Sequence, residues 1–237
     1  MIDCSESRVE ALFAIIDVDL DDVLIDLYEE NKIPFVLLTY GYGTAKSEIY
    51  EMLGYGGPRK IVAISIHTNK VSDFIMKKIH DEIDLHRPGT GVVFTISLTS
   101  MNRVLAETCG EACKNIEIGS ESMSVTPNEP YQLIVAVVNS GYFDQVMDAA
   151  KAAGASGGTL IHARSLGSKE AEKYLGITMQ PEKELVLILA PQEKRHAIME
   201  RITAETGLNT EARGSCFSLP VNSVMGLEAT IDNLDDI

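Results

Sequence analysis

Basic residues are scarce in this chain. Twenty Lys and Arg face 35 Asp and Glu, which leaves a formal charge of −15 over 237 residues. Nucleic-acid phosphates and anionic membrane surfaces both demand Lys and Arg, so neither is an expected partner. Long apolar runs are missing too, none approaching the roughly 20 residues of a membrane span. The opening MIDCSESRVE has no basic start and no apolar stretch. It does not read as a secretion signal, and a cytoplasmic protein is expected. Cysteine is sparse, four in all, too few for a disulfide scaffold. Cys109 and Cys113 stand four apart, on one face if the segment is helical. No second Cys/His pair has ligand spacing, so reduced thiols and no metal are expected. No Ser-His-Asp or Cys-His set has the context of a nucleophile, and no enzyme activity is expected. His67, His80, His86 and His196 lack ligand spacing and read as surface residues.

Aliphatic residues are plentiful. Hydrophobic side chains are 45% of the chain, enough to bury a core at a length that suits one large domain or two ordinary ones. The most informative stretch is GASGGTLIHARSLG, Gly154 to Gly167. Glycines allow backbone angles and close approaches that side chains forbid. Thr159, Leu160 and Ile161 suit a strand. His162 and Arg164 alternate along it and share a face. The stretch reads as a strand feeding a basic glycine loop able to meet a ligand, or more plainly as a tight turn before a core strand.

In chain order the sequence predicts a strand over Ala11–Ile16, a helix capped by Asp21 or Asp22, and a strand over Phe35–Thr39. A strand over Lys60–Ile66, a helix over Val71–Ile83 and a strand over Val92–Leu98 follow. That is β-α-β-β-α-β, the ferredoxin-like unit. Residues 106–130 read as a linker with at most a short helix at its start. The order then repeats. Strands are expected at Leu133–Val138, Thr159–Ala163, Glu184–Leu189 and Ser215–Leu219. Helices are expected over Asp144–Ala153 and from Pro191 through Ile202. Residues line up at an offset of 123. Ile75-Met76 meets Ile198-Met199, Gly91 meets Gly214 and Phe94 meets Phe217. Such a fixed register indicates a duplication. Residues 8–105 form the first unit, 106–130 the linker and 131–237 the second unit. The fold class is α+β, two tandem ferredoxin-like repeats, and ligand sites are expected in clefts between units.

The second half resembles the PII nitrogen-regulatory signalling family, and the first half resembles it more distantly. The run from Gly154 to Leu160, with Gly167 beyond it, is similar to that family's helix, glycine turn and Thr-bearing strand. Tyr40-Gly41-Tyr42-Gly43 looks like the end of the same run in the first half. Pro181-Glu182-Lys183, ELVLIL and Pro191-Gln192-Glu193 look like the segment after the family's mobile loop. Arg87-Pro88-Gly89-Thr90-Gly91 and Arg213-Gly214 look like its glycine loop before the last strand. The resemblance implies a trimeric sensor that binds ATP or ADP between subunits, often with 2-oxoglutarate. Such a sensor presses a loop, here Ser168–Gln180, onto a transporter or enzyme. It places Thr159 and Gly167, with Gly41 and Gly43 as first-half counterparts, by base and ribose. Arg213 and Gly214, or Gly89 and Gly91, fall by phosphates. The family's Lys after these glycines is replaced by Val92 and Ser215. The cations left, Arg164, Lys169, Arg213 and Arg87, suit a nucleotide with fewer phosphates, such as AMP, or another small anion. The alternatives are a scaffold of the same fold that has lost its ligand and a CutA-like metal-tolerance protein.

Overall fold

The computed structural model describes residues 8–44, 58–87, 89–116, 130–165 and 181–227. The chain divides into two compact units. One comprises Met1–Tyr40, Arg59–Asn128 and Val221–Ile237, and the other Gly41–Pro58 and Glu129–Pro220. Each contains the β-α-β-β-α-β order that the sequence predicts.

In the first unit, β1 (Val9–Asp17) is followed by α1 (Asp21–Glu30), β2 (Val36–Gly43), β3 (Arg59–Thr68), α2 (Asn69–Glu82) and β4 (Gly91–Ser97). The strands order as β2-β3-β1-β4. β1 is antiparallel to both neighbours, with Ile16 opposite Ile61 and opposite Gly91. The apolar spacing of α2 puts Val71, Ile75, Met76 and Ile79 on one stripe. That stripe and Leu24 and Leu27 of α1 cover Leu12, Ala14, Ile16, Ile61 and Ala63 of the sheet. Each of the Val, Leu, Ile and Met side chains among them contributes about 1.5–3 kcal/mol when fully buried.

A further helix, α3 (Arg103–Asn115), occupies the start of the expected linker. The Asn102 side chain caps it, accepting from the Leu105 N–H at 2.9 Å. It buries Cys109 and Cys113 and runs to Asn115, beyond the short helix expected at the start of the linker. Cys113 is disulfide-bonded, correcting the expectation of four reduced thiols. Cys109 and Cys216 are free.

The second unit holds β5 (Tyr131–Asn139), α4 (Phe143–Ala152), β6 (Thr159–Arg164), β7 (Glu182–Pro191), α5 (Arg195–Thr206) and β8 (Ser215–Pro220). The order is β8-β5-β7-β6. Val146, Met147 and Ala150 of α4 and Ile198 and Ile202 of α5 pack on Ile134, Ala136, Val138, Val186 and Ile188. Pro191 ends β7 opposite Tyr131 rather than opening the helix. The Gln192 N–H bonds Pro130 instead, so the chain stays extended through Pro191 and α5 begins at Arg195.

The two units match register for register. Asp17 lies opposite Lys60 as Asn139 lies opposite Lys183. Each unit also takes in a piece of the other half of the sequence. Tyr42 and Gly43 pair with Leu160 and Thr159 in the second unit. A short strand, β9 (Ser223–Met225), pairs with Val93–Thr95 of β4 in the first.

Candidate functional site

Antiparallel pairing brings the end of β5, the start of β7, the end of β6 and the start of β8 to one end of the second sheet. Asn139 and Ala163 flank Lys183, and Arg164 lies opposite Glu182. Arg213 and Gly214 precede Ser215, which is opposite Val137.

Lys183 is the centre of this end. The residue is 6% exposed, and its Nζ donates to Asn139 Oδ1 at 2.6 Å. Asn139 is itself held by the loop before β8. Its N–H bonds Ala212 O at 2.8 Å and its Nδ2 bonds Glu211 O at 3.0 Å. Desolvation lowers the Lys183 pKa. A buried ammonium whose hydrogen bond goes to a neutral amide carries charge that the described residues of its pocket do not balance.

Neighbouring groups are already satisfied. Glu184 turns its carboxylate onto the N-terminus of α4, accepting from the N–H groups of Gly141, Tyr142 and Phe143 at 2.8, 3.2 and 3.0 Å. The anion-favouring end of that helix is thus filled from within.

The first unit shows the same end closed. Lys60 Nζ meets Asp17 Oδ2 at 3.1 Å and donates to the Gly89 carbonyl. The substitution of Asp17 by Asn139 between repeats therefore leaves Lys183, among the described residues, without the carboxylate that Lys60 has.

The site residues read from the sequence fall into three places. Arg164, exposed, and Arg213 and Gly214 lie at the Lys183 end. Thr159, 8% exposed, is opposite Gly43 and Leu187, four residues from Ala163 or roughly 13 Å along the strand. Gly41 lies in β2 beside it. Arg87, Gly89 and Gly91 belong to the first unit, where Arg87 is exposed. Gly167 and Lys169, like the loop expected at Ser168–Gln180, lie outside the described residues.

Several glycines answer to packing. A Cβ on Gly214 would stand 2.2 Å from Thr206 O, and one on Gly91 2.3 Å from Ile15 O. Gly158 exchanges backbone and side-chain hydrogen bonds with Thr44, its N–H donating to Thr44 Oγ1 at 2.7 Å and its carbonyl accepting from Thr44 N at 3.0 Å. The glycine run before β6 thus seats a neighbouring stretch of chain. Arg213 has φ +47° and donates from Nη1 to Leu208 O at 2.8 Å, closing the turn after α5.

The sequence reading passed over Lys183 and Asn139 as site residues. The repeat carried only half of the signal, since Lys60 and Lys183 align at the offset of 123 while Asp17 falls on Ser140 there and is matched to Asn139 only by strand pairing. It also placed His67 on the surface, whereas His67 is fully buried. Its ring nitrogens meet Ser65 Oγ at 2.9 Å and Ser72 Oγ at 3.0 Å, which is how an interior imidazole is satisfied. Among the described residues no three His, Cys, Asp or Glu side chains are grouped to hold a metal, and no helix is long and apolar enough to cross a membrane.

Residues 131–229 match the family model described as Nitrogen regulatory protein P-II. No curated protein sequence matches the chain. Among solved structures, Arabidopsis thaliana PII bound to citrate is 20% identical, with TM-score 0.31, covering 40% of this chain and 79% of that one. The Bacillus subtilis GlnK–ATP complex is 14% identical, with TM-score 0.29, covering 38% and 84%. The divalent ion tolerance protein CutA1 from Ehrlichia chaffeensis is 15% identical, with TM-score 0.35, covering 46% and 97%.

Proposed function

We propose, from the P-II domain at residues 131–229, that this chain is a PII-like signalling protein whose second unit senses a small anion, an adenine nucleotide or a relative of it. The reading rests on one observation above the others, the buried Lys183 bonded to a neutral amide. An anionic group there supplies the charge that Asp17 supplies to Lys60, and Arg164 and Arg213 stand at the same end of the sheet to hold more of it. Binding of the anion shifts the loop between β6 and β7, which contacts a protein partner such as a transporter or metabolic enzyme. The protein works as a homo-oligomer. Val92 and Ser215, where the family carries Lys, favour few phosphates over a triphosphate.

The test is a thermal-shift panel of ATP, ADP, AMP, cyclic AMP and 2-oxoglutarate. A ligand of the folded state at a hundred times its Kd stabilises by about 2.7 kcal/mol. Lys183→Gln is expected to abolish the shift and Arg213→Ala to reduce it. Asn139→Asp recreates the first unit's ion pair, so it is expected to raise the ligand-free Tm and remove ligand response together. A flat panel sinks the sensor reading and leaves a scaffold of the same fold. That second reading is favoured by the closed Lys60–Asp17 pair and by glycines occupied in packing.

A further inference from the structure

The two units finish their sheets differently. β4 and β8 are equivalent strands, with Phe94 matching Phe217 and Ile96 matching Leu219 at the offset of 123. The outer edge of β4 is covered by β9, with Val93 opposite Met225 and Thr95 opposite Ser223. Asn222 fastens that cover. Its Nδ2 donates to Glu10 Oε1 at 3.0 Å and to Ser97 Oγ at 2.7 Å, and its N–H to Thr95 O at 2.9 Å. Phe94 is fully buried and stacks on Phe13, the ring centres 5.0 Å apart.

β8 has β5 on one side and, among the described residues, no strand on the other. Phe217 is 48% exposed and Leu219 37%. After β4 the chain turns into α3, so among the described residues no segment does for β8 what β9 does for β4. Unpaired edges are ordinarily guarded by Lys or by inward-pointing charges. The strand SCFSLP carries no charge at all.

The repeat also shows which backbone groups of β8 face outward. The Leu98 N–H points inward to Val9 O, while Thr95 O points outward to Asn222. Alternation then turns Val93, Thr95 and Ser97 outward, and their equivalents are Cys216, Ser218 and Pro220. Pro220 thus lacks only an outward N–H, as proline in an edge strand does. A second copy of the same edge, run antiparallel and centred on Ser218, meets these groups. The two Ser218 residues exchange N–H and carbonyl bonds, each Cys216 N–H reaches the partner's Pro220 carbonyl, and each Phe217 lies opposite the partner's Leu219. In a chain of charge −15, an uncharged edge is where two copies approach with least repulsion. We propose that β8 is a self-association edge, joining two copies of this chain by antiparallel pairing of β8 with β8.

This pairing goes beyond the anion site at Lys183, and neither needs the other. Two six-residue strands bury less than the roughly 1,200 Å² of a stable interface, so the dimer depends on concentration and is half-formed at about 10–100 µM. Sedimentation velocity of the full chain without ligand, from about 1 µM to about 500 µM, reads it. A monomer passing to a dimer is expected. Ser218→Pro removes an outward N–H that the single chain does not use. It is expected to raise the dimer Kd at least about tenfold and to leave the Tm of the dilute protein unchanged. Phe217→Lys, which puts a like charge on both edges, is expected to do the same. Val104→Lys, on an exposed position of α3, is expected to leave dimerisation as it was. A chain that stays monomeric throughout, or an oligomer that survives both Ser218→Pro and Phe217→Lys, overturns the proposal and leaves the anion reading standing.

Discussion

At the scale of single residues, steric space separates glycines that look alike in sequence. Gly214 has no room for a methyl group, since the nearest atom is the backbone oxygen of Thr206 at 2.2 Å. Gly214→Ala must move α5 or β8 and is expected to cost about 3 kcal/mol. Gly89 has φ +84° and open space around its missing Cβ, so Gly89→Ala is expected to cost about 1 kcal/mol from backbone strain alone. Chemical denaturation of the two variants checks the contrast. His67 supplies a second residue-scale expectation. Burial pushes its pKa down from 6.5 to about 4. The folded state resists the proton that the unfolded chain accepts, so the stabilising contribution is complete above about 6.5 and is lost as pH falls toward 4. The loss is on the order of 3 kcal/mol. His67→Gln, with hydrogen bonds to both serines still possible, is expected to flatten the stability profile in that window. Tm measured across pH 4 to 7 decides it.

At the scale of elements, the strands and helices whose apolar periodicity is strong were legible in sequence. β1, β3, β5 and β7 announce themselves through runs such as FAII and LVLIL, and α2 through Val71, Ile75 and Ile79. The duplication was legible because Gly91 and Gly214 are both forced by backbone crowding where β4 and β8 begin. Two elements were less so. α3 was expected only as a short helix at the head of a linker, because the turn formers after it hid a helix running from Arg103 to Asn115. β9 is three residues long and exists only because β4 offers an edge and Asn222 a fastening. The candidate site was half legible. Arg213, Gly214 and Arg164 stood in sequence beside the right loops, while Lys183 became visible only when paired strands placed it against Asn139 rather than Asp.

At the scale of the whole molecule, the sequence repeat and the packed unit do not coincide. Residues 41–44 belong with the second unit and residues 221–227 with the first. A chain stopped after Pro220 loses β9 and the Asn222 bonds, and is expected to lower the Tm of the first unit while leaving ligand response at Lys183 intact. A fragment of residues 129–237 lacks the pairing of Tyr42 and Gly43 on β6 and leaves Gly158 without its two bonds to Thr44. It is expected to be less stable than the same unit in the intact chain. Calorimetry of the two truncations against the full chain tests both.

The fastening of Asn222 to Glu10 joins residues 212 apart, and that separation bears on how the protein is made. A ribosome releases β1 long before β9. Domains formed from contiguous sequence condense as they emerge, but the first unit must wait with an unfinished sheet edge until the second repeat is out. Its completion is the late, slow step that long-range closure imposes. Until residue 222 emerges, the nascent chain is exposed along β4 for the entire time that the second repeat is being translated.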